Sequence, residues 1–225
     1  MARQPKFRKN ETLVPRVLSA LLLVPLSLFV IYIGPPYSFV FGFLVTIGLF
    51  IEWTLLCLKN FLPLWSKLTC IVLGTLYILI AALCLLFLLY QPTKLEMWRL
   101  VYCLLFLVWS TDTFAYIGGR LLKGPKLAPS ISPHKTWSGF VVGMIGGTAL
   151  TYTASLWILP NVFSLWGIIF LVLIAQLGDL LESKVKRWSD VKDSSSLIPG
   201  HGGLLDRLDS LLAVAFTLAL WQWFS

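Results

Sequence analysis

Seven apolar runs, each near the twenty residues that carry a helix across a hydrocarbon layer, leave this chain few folds to choose from. They extend over Leu13 to Ile33, Tyr37 to Leu58, Leu68 to Tyr90, Met97 to Ile117, Ser138 to Leu159, Val162 to Leu181 and Leu204 to Phe224. Pro and Gly punctuate them at Gly34-Pro35-Pro36, Pro92 and Pro160, as turns require. A soluble domain could not hide so much apolar surface: the 225 residues are 58% hydrophobic with a mean hydropathy of +0.84. The charged share of 12% is about half that of an ordinary globular domain. The expected fold is all-α, a polytopic transmembrane helical bundle of about seven spans, within a range of six to nine. It should form a single folded unit, with residues 1–109 as a membrane scaffold and 110–225 as a catalytic membrane region carrying two cytoplasmic loops. The first run passes twenty residues without a small-residue cleavage site, so it reads as a retained span rather than a leader.

The placement of the +8 net charge sets the orientation. All of the 18 Lys and Arg residues except Lys94 and Arg99 fall on the N-terminal tail or on the segments around 59–67, 118–137 and 182–207. By the positive-inside rule these face the cytoplasm. The basic balance therefore marks a membrane orientation and no nucleic-acid partner. Cys57, Cys70, Cys84 and Cys103 lie in or beside apolar runs without a CxxC pair and read as small buried hydrophobes.

The chemistry concentrates between Ser183 and Ser210, SKVKRWSDVKDSSSLIPGHGGLLDRLDS. Lysine and arginine offer charge-assisted hydrogen bonds to phosphate, glycines let backbone N–H groups come close, and neighbouring carboxylates can share a divalent cation. Each residue alone fits an ordinary solvated loop; together they suit a polyphosphate and its metal. Upstream, Asp179, Glu182 and Lys186 share one helix face, either as an ion-pair ladder or as a wall for metal and phosphate. Asp206 and Asp209 open the last run, where free helix N–H groups already favour an anion; their charge predicts an intervening hard cation such as Mg2+. Asp112 in Ser110-Thr-Asp-Thr is an acid inside a span and so a functional candidate. The second run also carries Glu52.

The order Ser183, Lys186-Arg187, Lys192-Asp193, Ser195, Ile198-Pro199, His201-Gly202-Gly203, Asp206-Arg207, Asp209 resembles the signature of the CDP-diacylglycerol synthases, or phosphatidate cytidylyltransferases. The stretch Lys126 to Trp137, with Ser132, Pro133, Lys135 and Thr136, resembles a second family segment. Phe114, His134 and Ser138 depart from the family pattern. The resemblance implies transfer of CMP from CTP to phosphatidate, giving CDP-diacylglycerol and pyrophosphate for phospholipid synthesis. It implies Mg2+ on Asp179, Asp206 and Asp209, with a second cation such as K+ left open. Lys186 and Arg207 are implied as catalytic, and Asp112, Lys126, Ser132, Lys135, Thr136, Ser183, Arg187, Lys192, Asp193, His201, Gly202 and Gly203 as substrate-binding. CTP, phosphatidate and membrane lipids are the implied partners, a homodimer the family habit, and the inner membrane of a bacterium, with the site facing the cytoplasm, the implied location. A transporter or channel with an anion vestibule is the rival class, although no internal repeat of transporter type is evident.

Overall fold

The structure is a computed structural model and describes residues 13–59, 63–90, 97–160, 162–198 and 202–224. Seven helices stand among them: α1 Leu13–Ile33, α2 Tyr37–Lys59, α3 Leu64–Tyr90, α4 Met97–Leu122, α5 Trp137–Ile158, α6 Leu165–Trp188 and α7 Leu205–Phe224. Five are long and apolar enough to cross a membrane, and α1 holds a shorter apolar stretch, Leu21–Ile33. Large side chains such as Leu22, Phe43, Leu73 and Leu83 stay exposed, as a surface facing acyl chains permits. The expected helical membrane bundle is what the chain forms.

Two apolar clusters hold it together, and α7 belongs to both. Leu211 and Val214 join Leu88, Leu104, Leu107, Ile168 and Val172 of α3, α4 and α6. Leu205, Leu212 and Ala215 join Leu49, Leu56, Ile78 and Ala81 of α2 and α3. The most intimate seam is α4 against α5. There Gly139, Gly143 and Gly147 recur every four residues, and a Cβ on any of them would strike Ala115 or Thr111 of α4. Small residues at this period let two helix backbones approach closely in a membrane, as the glycine-rich fifth run predicts.

The polar segments depart from the expected loops. α4 continues through Gly118 and Gly119 to Leu122, and those glycines let its end lie close to α5: a Cβ on Gly118 would strike Val142, and one on Gly119 would come within 3.0 Å of Thr136 Oγ1. Lys123, in the left-handed region at φ 47, then ends the helix, in the manner of a C-terminal αL residue. Residues 126–136 form a two-stranded antiparallel hairpin, β1 Lys126–Ala128 and β2 Ser132–Thr136. Thr136 caps α5 by accepting the Gly139 N–H at 3.1 Å. Ser164 caps α6 through Gly167 N–H at 3.0 Å, which starts that helix three residues later than the hydropathy suggests. At its far end α6 runs on through Lys184, Lys186 and Arg187 to Trp188, and Asp190 at φ 53 turns the chain away. Charged residues therefore extend both α4 and α6 beyond the apolar limit.

Candidate active site

The polar residues gather at the end of the bundle where α2, α4 and α6 finish and α5 and α7 begin. A cavity of about 440 Å3 opens there. α4 contributes Asp112, Tyr116 and Arg120, the hairpin His134, Lys135 and Thr136, α5 Phe140, and α6 Gln176 and Asp179. Lys135 Nζ meets Asp179 Oδ2 at 2.5 Å, each side chain about 30% exposed (29% and 30%). Ser183 Oγ donates to Asp179 Oδ1 at 3.5 Å. Asp112 lies within electrostatic reach of Asp179, Lys135 and Arg207, and Asp209 within reach of Asp179, Asp112 and Lys186. Close packing brings this about: a Cβ on Gly178 would strike Ala213 and come within 3.3 Å of the Asp209 carbonyl, so α6 sets Asp179 beside α7 only because that position is bare.

A second group of acids stands beside the first and is engaged differently. Lys186, buried on α6, pairs with Glu182 of its own helix and with Asp206 Oδ1 of α7 at 2.7 Å. Asp206 Oδ2 also accepts the N–H groups of Ser194 at 2.9 Å and Gly203 at 2.8 Å. Gly202, at φ 82, packs under it. Thus the wall alternative for Asp179, Glu182 and Lys186 divides: Asp179 faces the cavity, while Glu182 and Lys186 form the ion-pair ladder.

The remaining candidates take these places. Asp206 answers Lys186 and the backbone amides of Ser194 and Gly203. Lys186 is held between two acids, Glu182 and Asp206. Arg187 donates from Nε to Ile131 O at 2.9 Å and from Nη1 to Val191 O at 3.0 Å, tying the hairpin to the following loop. Lys126, Lys192, Asp193 and Arg207 are exposed, Ser132 is half-buried where β2 begins, and Gly203 is buried. His201 lies outside the described residues. Among the described residues no three His, Cys, Asp or Glu groups form a ready-made metal cage.

The departures from the family pattern have local reasons. Ser138 Oγ accepts the Gly124 N–H at 3.0 Å and lies 3.0 Å from Thr136 Oγ1, closing the hairpin base. The Phe114 ring fills the space beside Gly146. Sequence reasoning missed the cavity-lining Gln176, whose Nε2 donates to Phe140 O at 3.3 Å, and gave no role to Glu52, buried on α2. Both are polar residues inside apolar runs, and that was the available signal.

A helical membrane bundle with acids, lysine and arginine around one cavity defines a membrane enzyme acting on an anionic substrate. The family model described as "Cytidylyltransferase family" matches residues 53–224. The chain belongs to the cytidylyltransferase family. It is similar to a phosphatidate cytidylyltransferase of Rickettsia conorii, 36% identical over 96% of this chain and 93% of the relative. That of Rickettsia bellii is 37% identical over 93% and 90%, and that of Brucella melitensis 50% identical over 50% and 43%. Neither fold nor relatives support the transporter reading.

Proposed function

We infer that this protein is a phosphatidate cytidylyltransferase of the membrane, with its site on the cytoplasmic side. A phosphate oxygen of phosphatidate attacks the α-phosphorus of CTP; the bond from that phosphorus to the bridging oxygen breaks, and pyrophosphate leaves as CDP-diacylglycerol forms. Reactions of this type need positioning and charge neutralisation more than a covalent nucleophile, and an anionic phosphate needs no strong base. The observation that carries the reading is the cavity at the α4, α5 and α6 ends, where Asp112 and Asp179 stand opposite Lys135 beside helices whose outer faces suit lipid.

The donor set fits Mg2+, which keeps one or two carboxylates and completes its shell with water and substrate phosphate. Asp179 and Asp209 are the proposed ligands, with Asp112 adjoining; Asp206 supports the loop instead. Bound there, the ion supplies positive charge to the triphosphate. Lys135 and Arg207 add charge-assisted donors for phosphate oxygens, and Lys126, Lys192 and Arg120 make the approach basic. Acyl chains enter from the bilayer while CTP arrives from water. A homodimer and a second cation such as K+ remain part of the proposal.

The test is turnover in detergent with labelled CTP, phosphatidate and Mg2+. Labelled lipid and pyrophosphate should form in equal amounts, and chelation should stop both. Full turnover by the Asp179→Asn, Asp209→Asn double variant would overturn the metal assignment, and no labelled lipid from wild type would overturn the reaction.

A further inference from the structure

Glu52 sits on α2, far in sequence from the active-site loop, with only 4% of its surface exposed. Each carboxylate oxygen receives one hydroxyl and one backbone amide. Oε1 accepts Ser195 Oγ at 2.5 Å and Leu204 N–H at 3.0 Å; Oε2 accepts Ser194 Oγ at 3.2 Å and Leu205 N–H at 2.8 Å. A carboxylate offers about four lone-pair sites, so none is left over for a metal or a substrate group.

The two amides are those of Leu204, just ahead of α7, and Leu205, its first residue; a helix start has no intrahelical acceptors for these leading N–H groups. Glu52 therefore caps α7 from another helix, at the positive end of its dipole. Gly203 makes room for Glu52 and its Ser194 donor: a Cβ there would strike Ser194 Oγ and lie 2.7 Å from Oε2 and 2.9 Å from Oε1. A second pin holds the other end of the same loop, where Ser189 Oγ donates to Leu56 O at 3.0 Å. Ser194 Oγ, which faces Glu52, also lies 3.1 Å from Asp206 Oδ2. The family match begins at residue 53, immediately after Glu52.

We propose that Glu52 is a positioning residue for the cytidylyl transfer: it fastens Ser194, Ser195 and the start of α7 to α2, and so sets Arg207 and Asp209 beside the cavity-lining acids. It acts through hydrogen bonds to the loop and touches no reacting atom. The proposal rests on the activity inferred above. Glutamine has nearly the shape of glutamate but puts an NH2 where two donors point, so it fills the site while unfastening the loop.

The experiment compares wild type, Glu52→Gln, Ser195→Ala, the double variant and Gly203→Ala in detergent. It measures kcat, KM for CTP and for phosphatidate, folded fraction, and trypsin cutting after the exposed Lys192. Glu52→Gln should lower kcat per folded molecule about 10- to 100-fold, the range for residues that orient a site through its immediate neighbours. KM for phosphatidate should stay within about twofold, cutting at Lys192 should accelerate, and adding Ser195→Ala should do little more, because the two substitutions break one shared contact. Gly203→Ala, which displaces the carboxylate from the other side, should reproduce the effect if Glu52→Gln folds poorly. Unchanged kcat with unchanged cutting, a loss accounted for by folded fraction alone, or additive losses would each overturn the proposal. If wild type makes no labelled lipid, the activity reading fails, yet the cutting assay still judges the clamp.

Discussion

The two groups of acids at the polar end of the bundle are chemically alike and placed in opposite circumstances. Asp112 and Asp179 line a cavity with Lys135, and Asp209 stands within reach of both acids, so like charges crowd together there. Glu52 and Asp206 accept from amides and hydroxyls, and Asp206 and Glu182 share Lys186. Acids crowded together leave room for a further cation, whereas the filled acceptors of Glu52 and Asp206 hold the fold. The donors around a carboxylate, and not its place in a motif alone, thus set how many of its lone pairs the fold itself uses.

The sharpest way to break this contrast is Asp206→Ala. Removing one partner from a buried ion-pair network costs up to about 3–5 kcal/mol; Lys186 keeps Glu182, but the Ser194 and Gly203 amides lose their acceptor, so the unfolding temperature in detergent should drop clearly and activity should fall with it. Asp209→Asn should do the reverse: turnover falls by about 100-fold, as when one preorganised charge-stabilising group is lost, while the unfolding temperature holds or rises because a repelling charge is gone. If Asp209→Asn unfolds the protein, or Asp206→Ala leaves it as stable as wild type, the division into two roles is wrong. Lys135→Ala should give an intermediate result, about tenfold on kcat/KM for CTP, since its pair with Asp179 is partly open to solvent and is weakened by screening. Smallest is Thr136→Ala, which removes the α5 cap and should cost about 1 kcal/mol, read as a modest loss in unfolding temperature with KM nearly unchanged.

Much of the architecture was legible because crossing a bilayer is a local demand: about twenty apolar residues suffice wherever they occur. The limits of α4 and α6 were not, since hydropathy stops at Ile117 and Leu181 while the backbone hydrogen bonding continues to Leu122 and Trp188. The hairpin at 126–136 escaped notice because its strands are three and five residues long and show no apolar alternation. Asp112 and Asp179 were legible as acids inside apolar runs, and the structure brings them to one cavity. The engagement of Asp206, the redirection of Arg187 to carbonyls and the grip of Glu52 were not, because each partner comes from a distant or folded-back segment.

By itself the sequence determined that this chain enters a membrane as helices, where its basic residues concentrate, and which short stretches match the family pattern; those follow from composition and order along the chain. Only the tertiary structure decided which carboxylates remain available. That depends on Gly178 and Gly203 letting backbones and side chains close in, and on α2 bringing Glu52 to donors 142–153 residues away. Hydrogen bonds saturate over a few ångströms, and proximity on that scale across such separations exists only once the helices have packed.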